Sequence, residues 1–184
     1  MIKIRKGVFE TNSSSMHSLV IMKNDKYLPK EDLLKSVYVN RDGELTIFDG
    51  EMDYGRSPFS ILSTPIDKFL YLIASYENNE EKRKEITEIL KEIIPEIKSI
   101  KYPTSSWNDD KEYLGYVDHQ SQGLVTEYIK DNNISIRDFL LNGKYIVIID
   151  GDEYGEWCKF KQSGLVNLDD IAVDINPWSR FNTE

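Results

Sequence analysis

Apolar residues at helical spacing mark two consecutive helices near the middle of the chain. For the first, Thr64 is a favoured N-cap residue, Pro65 suits the first helical position, and apolar residues recur along one face to about Glu77. For the second, about Glu80–Ile94, apolar residues recur opposite a charged face, and Pro95 follows it. This pattern predicts a helical pair at about residues 64–94.

Runs of branched apolar residues predict strands on both sides of the helical pair. The clearest is Tyr145–Asp150, which is flanked by glycines as a buried strand should be, and His17–Lys23 is a second. Val37–Asn40 and Glu44–Phe48 flank an Asp-Gly pair at 42–43, which predicts a hairpin with a tight primed turn. Because strands and helices are interleaved and hairpin signals are frequent, we expect an α+β fold with a mixed, mainly antiparallel sheet.

Weaker patterns complete the predicted set of elements. Short helices are expected at Leu124–Lys130 and, with Ser135 as the N-cap, at Ser135–Leu141. The remaining predictions are strands at Ile2–Arg5, Ile97–Tyr102 and Leu114–Asp118, and a short helix at Lys30–Lys35.

Length and cysteine usage narrow the class of protein. A chain of 184 residues is expected to form a single domain over residues 1–184. Cys158 is the only cysteine, which excludes an internal disulfide and a cysteine-rich zinc site and favours a reducing cytoplasm. No apolar run approaches the roughly 20 residues that cross a bilayer, so we expect a cytoplasmic protein with no membrane partner.

The charge balance bears on possible partners. The chain has 32 acidic against 23 basic residues, a formal net charge of −9. A net-acidic surface repels phosphate backbones, so direct, generic nucleic-acid binding is not expected. The same charge is compatible with a basic protein partner or with mimicry of nucleic acid.

The first segment that could carry chemistry runs from Val8 to Ser18. Short hydroxyl and amide side chains near backbone N–H groups can form a concavity that holds an anion. His17 could move a proton at neutral pH, and Glu10 could orient an imidazole. A Ser-rich connector, or a rigid turn whose hydroxyls satisfy buried backbone groups, is the structural alternative. The predicted anion ligands are Asn12, Ser13, Ser14 and Ser15.

The second segment, Tyr116–Ser121, spans the end of the strand predicted at Leu114–Asp118 and contains the only other histidine, His119. If the two segments meet in the fold, the histidines, Asp118 and the serines form one polar cluster, with Ser121 as a further ligand-binding residue. Asp118 and His119 would point to opposite faces of a strand, so they make a poor catalytic pair with each other. The structural alternative is a turn with a hydrogen-bonded histidine.

Together these two segments resemble a family of uncharacterised proteins encoded by bacteriophages and prophages of low-GC Gram-positive bacteria. The resemblance lies in the motif Phe-Glu-Thr-Asn-Ser-Ser-Ser-x-His-Ser, here Phe9–Ser18, and in Asp-His-Gln-Ser, here Asp118–Ser121. A later strand ending in Gly-Asp, here Ile148–Asp152, is also similar. The resemblance implies a phage origin and a functional site at the two motifs, and it implies no reaction.

One functional hypothesis is a phage accessory protein with a site for a phosphate-bearing ligand, for which a nucleotide is the first guess. The Ser-rich segment would hold the phosphate, and His17 and His119 would exchange protons. Glu10 or Asp118 would orient an imidazole. Whether this site is enzymatic is left open, and neither a metal nor a cofactor follows from the residues.

The second hypothesis is a non-enzymatic phage inhibitor of a host protein, such as a defence protein. Its acidic surface would imitate nucleic acid and enter a basic cleft, and binding would be sensitive to salt. The residues expected to contribute are Asp150, Asp152, Glu153 and Glu156.

Overall fold

The structure, a computed structural model, describes residues 16–23, 38–48, 50–55, 60–104, 112–119, 121–150 and 171–174. Within these ranges it contains four helices: α1 (Pro65–Ser75), α2 (Glu80–Ile93), α3 (Leu124–Asp131) and α4 (Ile136–Leu141). The strands in the same ranges are β1 (Met16–Met22), β2 (Glu44–Thr46), β3 (Asp53–Tyr54), β4 (Ser60–Leu62), β5 (Ser99–Lys101), β6 (Tyr116–Val117), β7 (Tyr145–Asp150) and β8 (Ile171–Asp174). The elements predicted at Ile2–Arg5 and Lys30–Lys35 lie outside the described residues.

The largest sheet has the strand order β4-β7-β1-β8, and every neighbouring pair in it is antiparallel. Two smaller, two-stranded sheets, β2-β5 and β3-β6, are parallel. The predicted α+β fold with a mixed, mainly antiparallel sheet is therefore confirmed. None of the neighbours in the large sheet is consecutive along the chain, so this sheet is built from distant segments and not from hairpins.

The predicted helical pair is confirmed by α1 and α2. The Thr64 side chain accepts a hydrogen bond from the Asp67 amide at 3.2 Å, and the Asp67 carboxylate accepts one from the Thr64 amide at 3.2 Å. This reciprocal capping box satisfies two amides that the start of α1 would otherwise leave unpaired. The apolar face of α2 is buried through Ile86, Leu90 and Ile93, as its spacing predicts.

The predicted turn before β2 forms, but its geometry differs from the prediction. The Gly43 amide donates to the Asn40 carbonyl at 3.0 Å, and the Asn40 side chain accepts from the amides of Asp42 and Glu44. Among the described residues of this turn only Gly43 has a positive φ, of 85°, whereas a two-residue primed turn would also require one at Asp42. The Asn40 side chain stabilises the observed turn, in which only Gly43 has a positive φ, because it accepts hydrogen bonds from two backbone amides of that turn.

Alternate residues of β1 enter two different apolar clusters. Leu19 lies in the main core with Val147 and the apolar face of α1, and Val20 packs with Ile148 in a smaller cluster. Side chains two residues apart share a face of a strand, so His17 lies on the main-core face. No described helix is long and apolar enough to cross a membrane.

The N-terminal end of β1 has a strand neighbour on one side only among the described residues. The register with β7 covers Met16–Ile21, whereas the register with β8 begins at Val20. Within the described residues, no strand pairs with His17 on the side opposite β7. The backbone there must find its hydrogen-bond partner elsewhere.

Candidate functional site

The two sequence motifs meet at the open side of β1. The backbone amide of His17, in the first motif, donates to the Ser121 hydroxyl, in the second, at 3.0 Å, although the two residues are 104 positions apart. Backbone bonds hold the turn that carries Ser121: the Asp118 amide donates to the Tyr54 carbonyl at 3.1 Å, and the Ser121 amide to the Asp118 carbonyl at 2.9 Å. The turn therefore takes the place that a neighbouring strand would occupy.

The imidazole of His17 is completely buried. Its Nδ1 lies 3.1 Å from the hydroxyl of Tyr71 on α1. A hydroxyl can donate to an unprotonated ring nitrogen or accept from a protonated one, so this contact is satisfied in either tautomer. The two rings meet edge to face, with centroids 5.7 Å apart, and Tyr54 packs on Tyr71 in the same manner at 5.2 Å.

Burial sets the charge of His17. Desolvation lowers the pKa of His17 to about 4, although the nearby charge of Asp118 and a hydrogen bond with the Tyr54 backbone act in the opposite direction. Burial also raises the pKa of the Tyr71 phenol. Both groups are therefore neutral at physiological pH, because burial disfavours the charged form of each.

Asp118 and His119 differ sharply in exposure. The Asp118 side chain is 6% exposed and points inward, whereas the His119 side chain is 71% exposed. Their closest approach, between Asp118 Oδ1 and His119 Nδ1, is 3.8 Å, which is longer than a hydrogen bond. This arrangement presents a solvent-accessible imidazole beside a buried carboxylate.

No family model, curated protein or solved structure matches the chain.

Several predicted site residues fall outside the described part of the chain: Glu10, Asn12, Ser13, Ser14 and Ser15. Ser15 immediately precedes Met16, the first residue of β1, so the Ser-rich segment is joined directly to the strand that carries His17. Of the predicted residues that the structure describes, it brings together His17, Asp118 and Ser121, with His119 at the exposed end. Among the described residues, no cluster of His, Cys, Asp or Glu could hold a metal ion.

Two residues of this site were missed by the sequence analysis. Tyr71 and Tyr54 contact the site through a hydroxyl and a backbone group, and both are almost completely buried. In the sequence Tyr71 is one more large residue on the apolar face of α1. The available signal is chemical: a buried tyrosine hydroxyl needs a hydrogen-bond partner, and a lone histidine on a core-facing strand can supply it.

Proposed function

We propose that the protein is a phage or prophage accessory protein that binds or processes a phosphate-bearing ligand where its two motifs come together. A nucleotide is the first ligand class to test. The observation that carries the proposal is the hydrogen bond from the His17 amide to the Ser121 hydroxyl, because it joins the two motifs across 104 positions of sequence. The motif resemblance supports the phage origin.

The environments of the two histidines support different roles for them. His119 is exposed, so its imidazole is accessible for proton exchange with a ligand, and the nearby Asp118 carboxylate favours one orientation of the ring. His17 is buried and neutral, which suits a positioning residue that fixes the start of β1, the strand that follows the Ser-rich segment in the sequence. The hydroxyls and the amide of residues 12–15 would supply the phosphate contacts.

Calorimetric titration tests this proposal with inorganic phosphate, ADP, ATP and GTP as the actual probes. We expect at least one of them to bind, and we expect His119→Ala to weaken that binding by about tenfold, as loss of one charged or polar ligand contact does. The matched control is Gln122→Ala, an exposed residue of the same turn, which should leave affinity unchanged. The triple variant Ser13→Ala, Ser14→Ala, Ser15→Ala should abolish binding.

The proposal fails if none of the four probes binds, or if the triple variant and His119→Ala bind as the unaltered protein does. Because His119 is exposed, unchanged thermal unfolding of His119→Ala would separate a ligand contact from a folding defect.

The competing hypothesis is a phage inhibitor whose acidic surface engages a basic host protein. The net charge of −9 supports it, whereas the residues expected to carry it, from Asp150 to Glu156, have no described side chains. It predicts that reversing the charges at 150, 152, 153 and 156 weakens partner binding in a salt-dependent manner. His119→Ala would leave that binding intact, so the same variants distinguish the two hypotheses.

A further inference from the structure

A groove of about 470 Å³ lies between α2, α3 and α4 and shares no residue with the polar site described above. This volume is within the range of pockets that hold small ligands, roughly 300–1,000 Å³. Its walls come from the N-terminal part of α2, from α3 and from the first turn of α4. The loop between α3 and α4 contributes Ile134 to the lining.

The floor of the groove is apolar. Ile129 of α3 and Ile136 of α4 are buried, and Ile89 of α2 and Ile134 are half-buried. All four side chains are branched aliphatic groups with no hydrogen-bonding capacity. They leave a surface that favours a hydrocarbon chain or ring over water.

The rim of the groove carries an excess of positive charge. Lys82, Lys130 and Arg137 line it, against the single carboxylate of Glu85. Lys82 pairs with Glu85 at 2.8 Å, and Arg137 lies 3.5 Å from Glu92, which is outside the lining. Exposed pairs of this kind are weak and are readily exchanged for another anion.

Lys130 differs from the other two rim cations in its pairing. It is exposed on α3, and no ion pair joins it to another residue in the described ranges. In a chain whose net charge is −9, a cationic rim above an aliphatic floor is a local reversal of the surface charge. Such a combination is complementary to a molecule that is apolar at one end and anionic at the other.

We propose that this groove binds a small amphipathic anion, with its hydrocarbon part on the isoleucine floor and a carboxylate or phosphate head at the cationic rim. The proposal is independent of the phosphate-ligand function proposed above, since it uses other helices and other residues. The groove's volume matches a small molecule, and both features of the surface, charge and apolarity, are needed for its recognition.

The first test compares three probes of similar chain length: decanoate, decyl phosphate and decyltrimethylammonium, each kept below its critical micelle concentration. Amide chemical shifts in nitrogen-15-labelled protein report where each probe binds. We expect saturable binding of both anions, with the largest shifts around Thr126 and Ile134, and an affinity for the cation lower by about tenfold or more. Similar affinities for the two anions would indicate that the rim recognises negative charge and does not distinguish a carboxylate from a phosphate. A clear difference would identify the preferred head group.

The second test removes one rim cation. Lys130→Glu should weaken decanoate binding by about fivefold to tenfold, because it replaces an attraction by a repulsion at an exposed site. Lys84→Glu is the matched control: it makes the same change of charge on an exposed position of α2 that does not line the groove. It should change affinity by less than about twofold. Both positions are exposed, so neither substitution threatens the fold.

Three results would overturn the proposal. One is equal binding of the anions and the cation, which would show adsorption driven by the alkyl chain alone. Another is non-saturable shifts spread over the surface. The third is an equal loss of affinity in the Lys130→Glu and Lys84→Glu variants, which would show a response to overall charge and not to this rim.

Discussion

Lys68 is fully buried on α1, an uncommon position for a lysine. Its Nζ donates to the backbone carbonyls of Asn142 at 3.1 Å and Tyr145 at 3.2 Å, and it lies 5.6 Å from the centroid of the Phe139 ring. These bonds connect α1, near its N-terminus, with the segment that leads from α4 into β7. Desolvation lowers the pKa of Lys68 to about 7, although the charges of Asp67 and Asp138 act in the opposite direction.

A pH dependence of stability follows from this burial. Because the pKa of Lys68 in the folded protein lies below its usual value of 10.5, the contribution of this group to stability is complete above pH 10.5 and is lost as the pH falls toward 7. The free energy of unfolding should therefore rise with pH across this window, with an upper bound of about 5 kcal/mol from this group. Urea denaturation at pH 7, 8, 9 and 10 measures it.

The variant Lys68→Met supplies the control for this pH dependence. It keeps most of the side-chain volume and removes the titrating group, so its stability relative to the unaltered protein should improve toward pH 7. A stability difference between the two proteins that stays constant from pH 7 to pH 10 would contradict the proposed neutralisation of Lys68.

At the scale of elements, the chain leading into β6 depends on a close approach at Gly115. Gly115 has a φ of +88°, and a Cβ atom built there would lie 2.5 Å from the Met52 carbonyl oxygen and 2.8 Å from the Ala74 Cβ. Both neighbours are firmly held, since Met52 and Ala74 are buried in the main core. The next strand, β6, leads into Asp118 and the turn that bonds β1, so this glycine determines where the site's turn can lie.

The contact contribution of Gly115 can be separated from its backbone conformation by comparison with Gly50. Gly50 has a similar φ of +85°, but among the described residues no atom beyond its chain neighbours lies within 4 Å of a Cβ built there. Gly50→Ala should cost about 1 kcal/mol, the price of the left-handed conformation alone. Gly115→Ala should cost about 3 kcal/mol, because it adds a steric conflict with buried backbone. Thermal or urea unfolding of the two variants measures the difference, and equal costs would show that the neighbours of Gly115 yield without resistance.

At the scale of the whole molecule, the large sheet joins the beginning of the chain to a strand about 130 residues later. The amides of Ser18, Val20 and Met22 face β7, because the His17 amide faces the opposite side and strand amides alternate. The Met22 amide donates to the Lys144 carbonyl at 2.9 Å, in agreement with this alternation. These bonds lie at the centre of the sheet and should open only when the molecule unfolds globally.

Hydrogen exchange tests this difference in stability within the fold. We expect the Val20 and Ile148 amides to exchange with the free energy of global unfolding. The Ile47 amide, which donates to Lys101 beside the two-stranded β2-β5 sheet, should exchange with a free energy lower by about 1 kcal/mol or more. Equal protection of the three amides would indicate that the small sheet unfolds only together with the large one.

The sequence predicts local features of this fold well and its long-range pairing poorly. Thr64-Pro65 and the spacing of α2 were sufficient to place the helical pair, since capping and amphipathicity are properties of neighbouring residues. The order β4-β7-β1-β8 was not predictable, because the apolar pattern shows that a strand is buried and does not identify its neighbours. For the same reason the two motifs predict that His17 and Ser121 belong to one cluster if the segments meet, but they do not predict the bond between the His17 amide and the Ser121 hydroxyl. The role of Tyr71 was not predicted, because a hydrophobic pattern indicates that a residue is buried and does not identify the hydrogen-bond partner of its hydroxyl.

The Ser121 hydroxyl completes the hydrogen bonding of an inner strand from within a turn that also presents His119 to solvent. Ligand binding at that turn and the stability of the sheet are therefore thermodynamically linked. A compound that binds the turn only in the folded protein raises the melting temperature by mass action. A thermal-shift screen can thus report ligands of this protein without an activity assay.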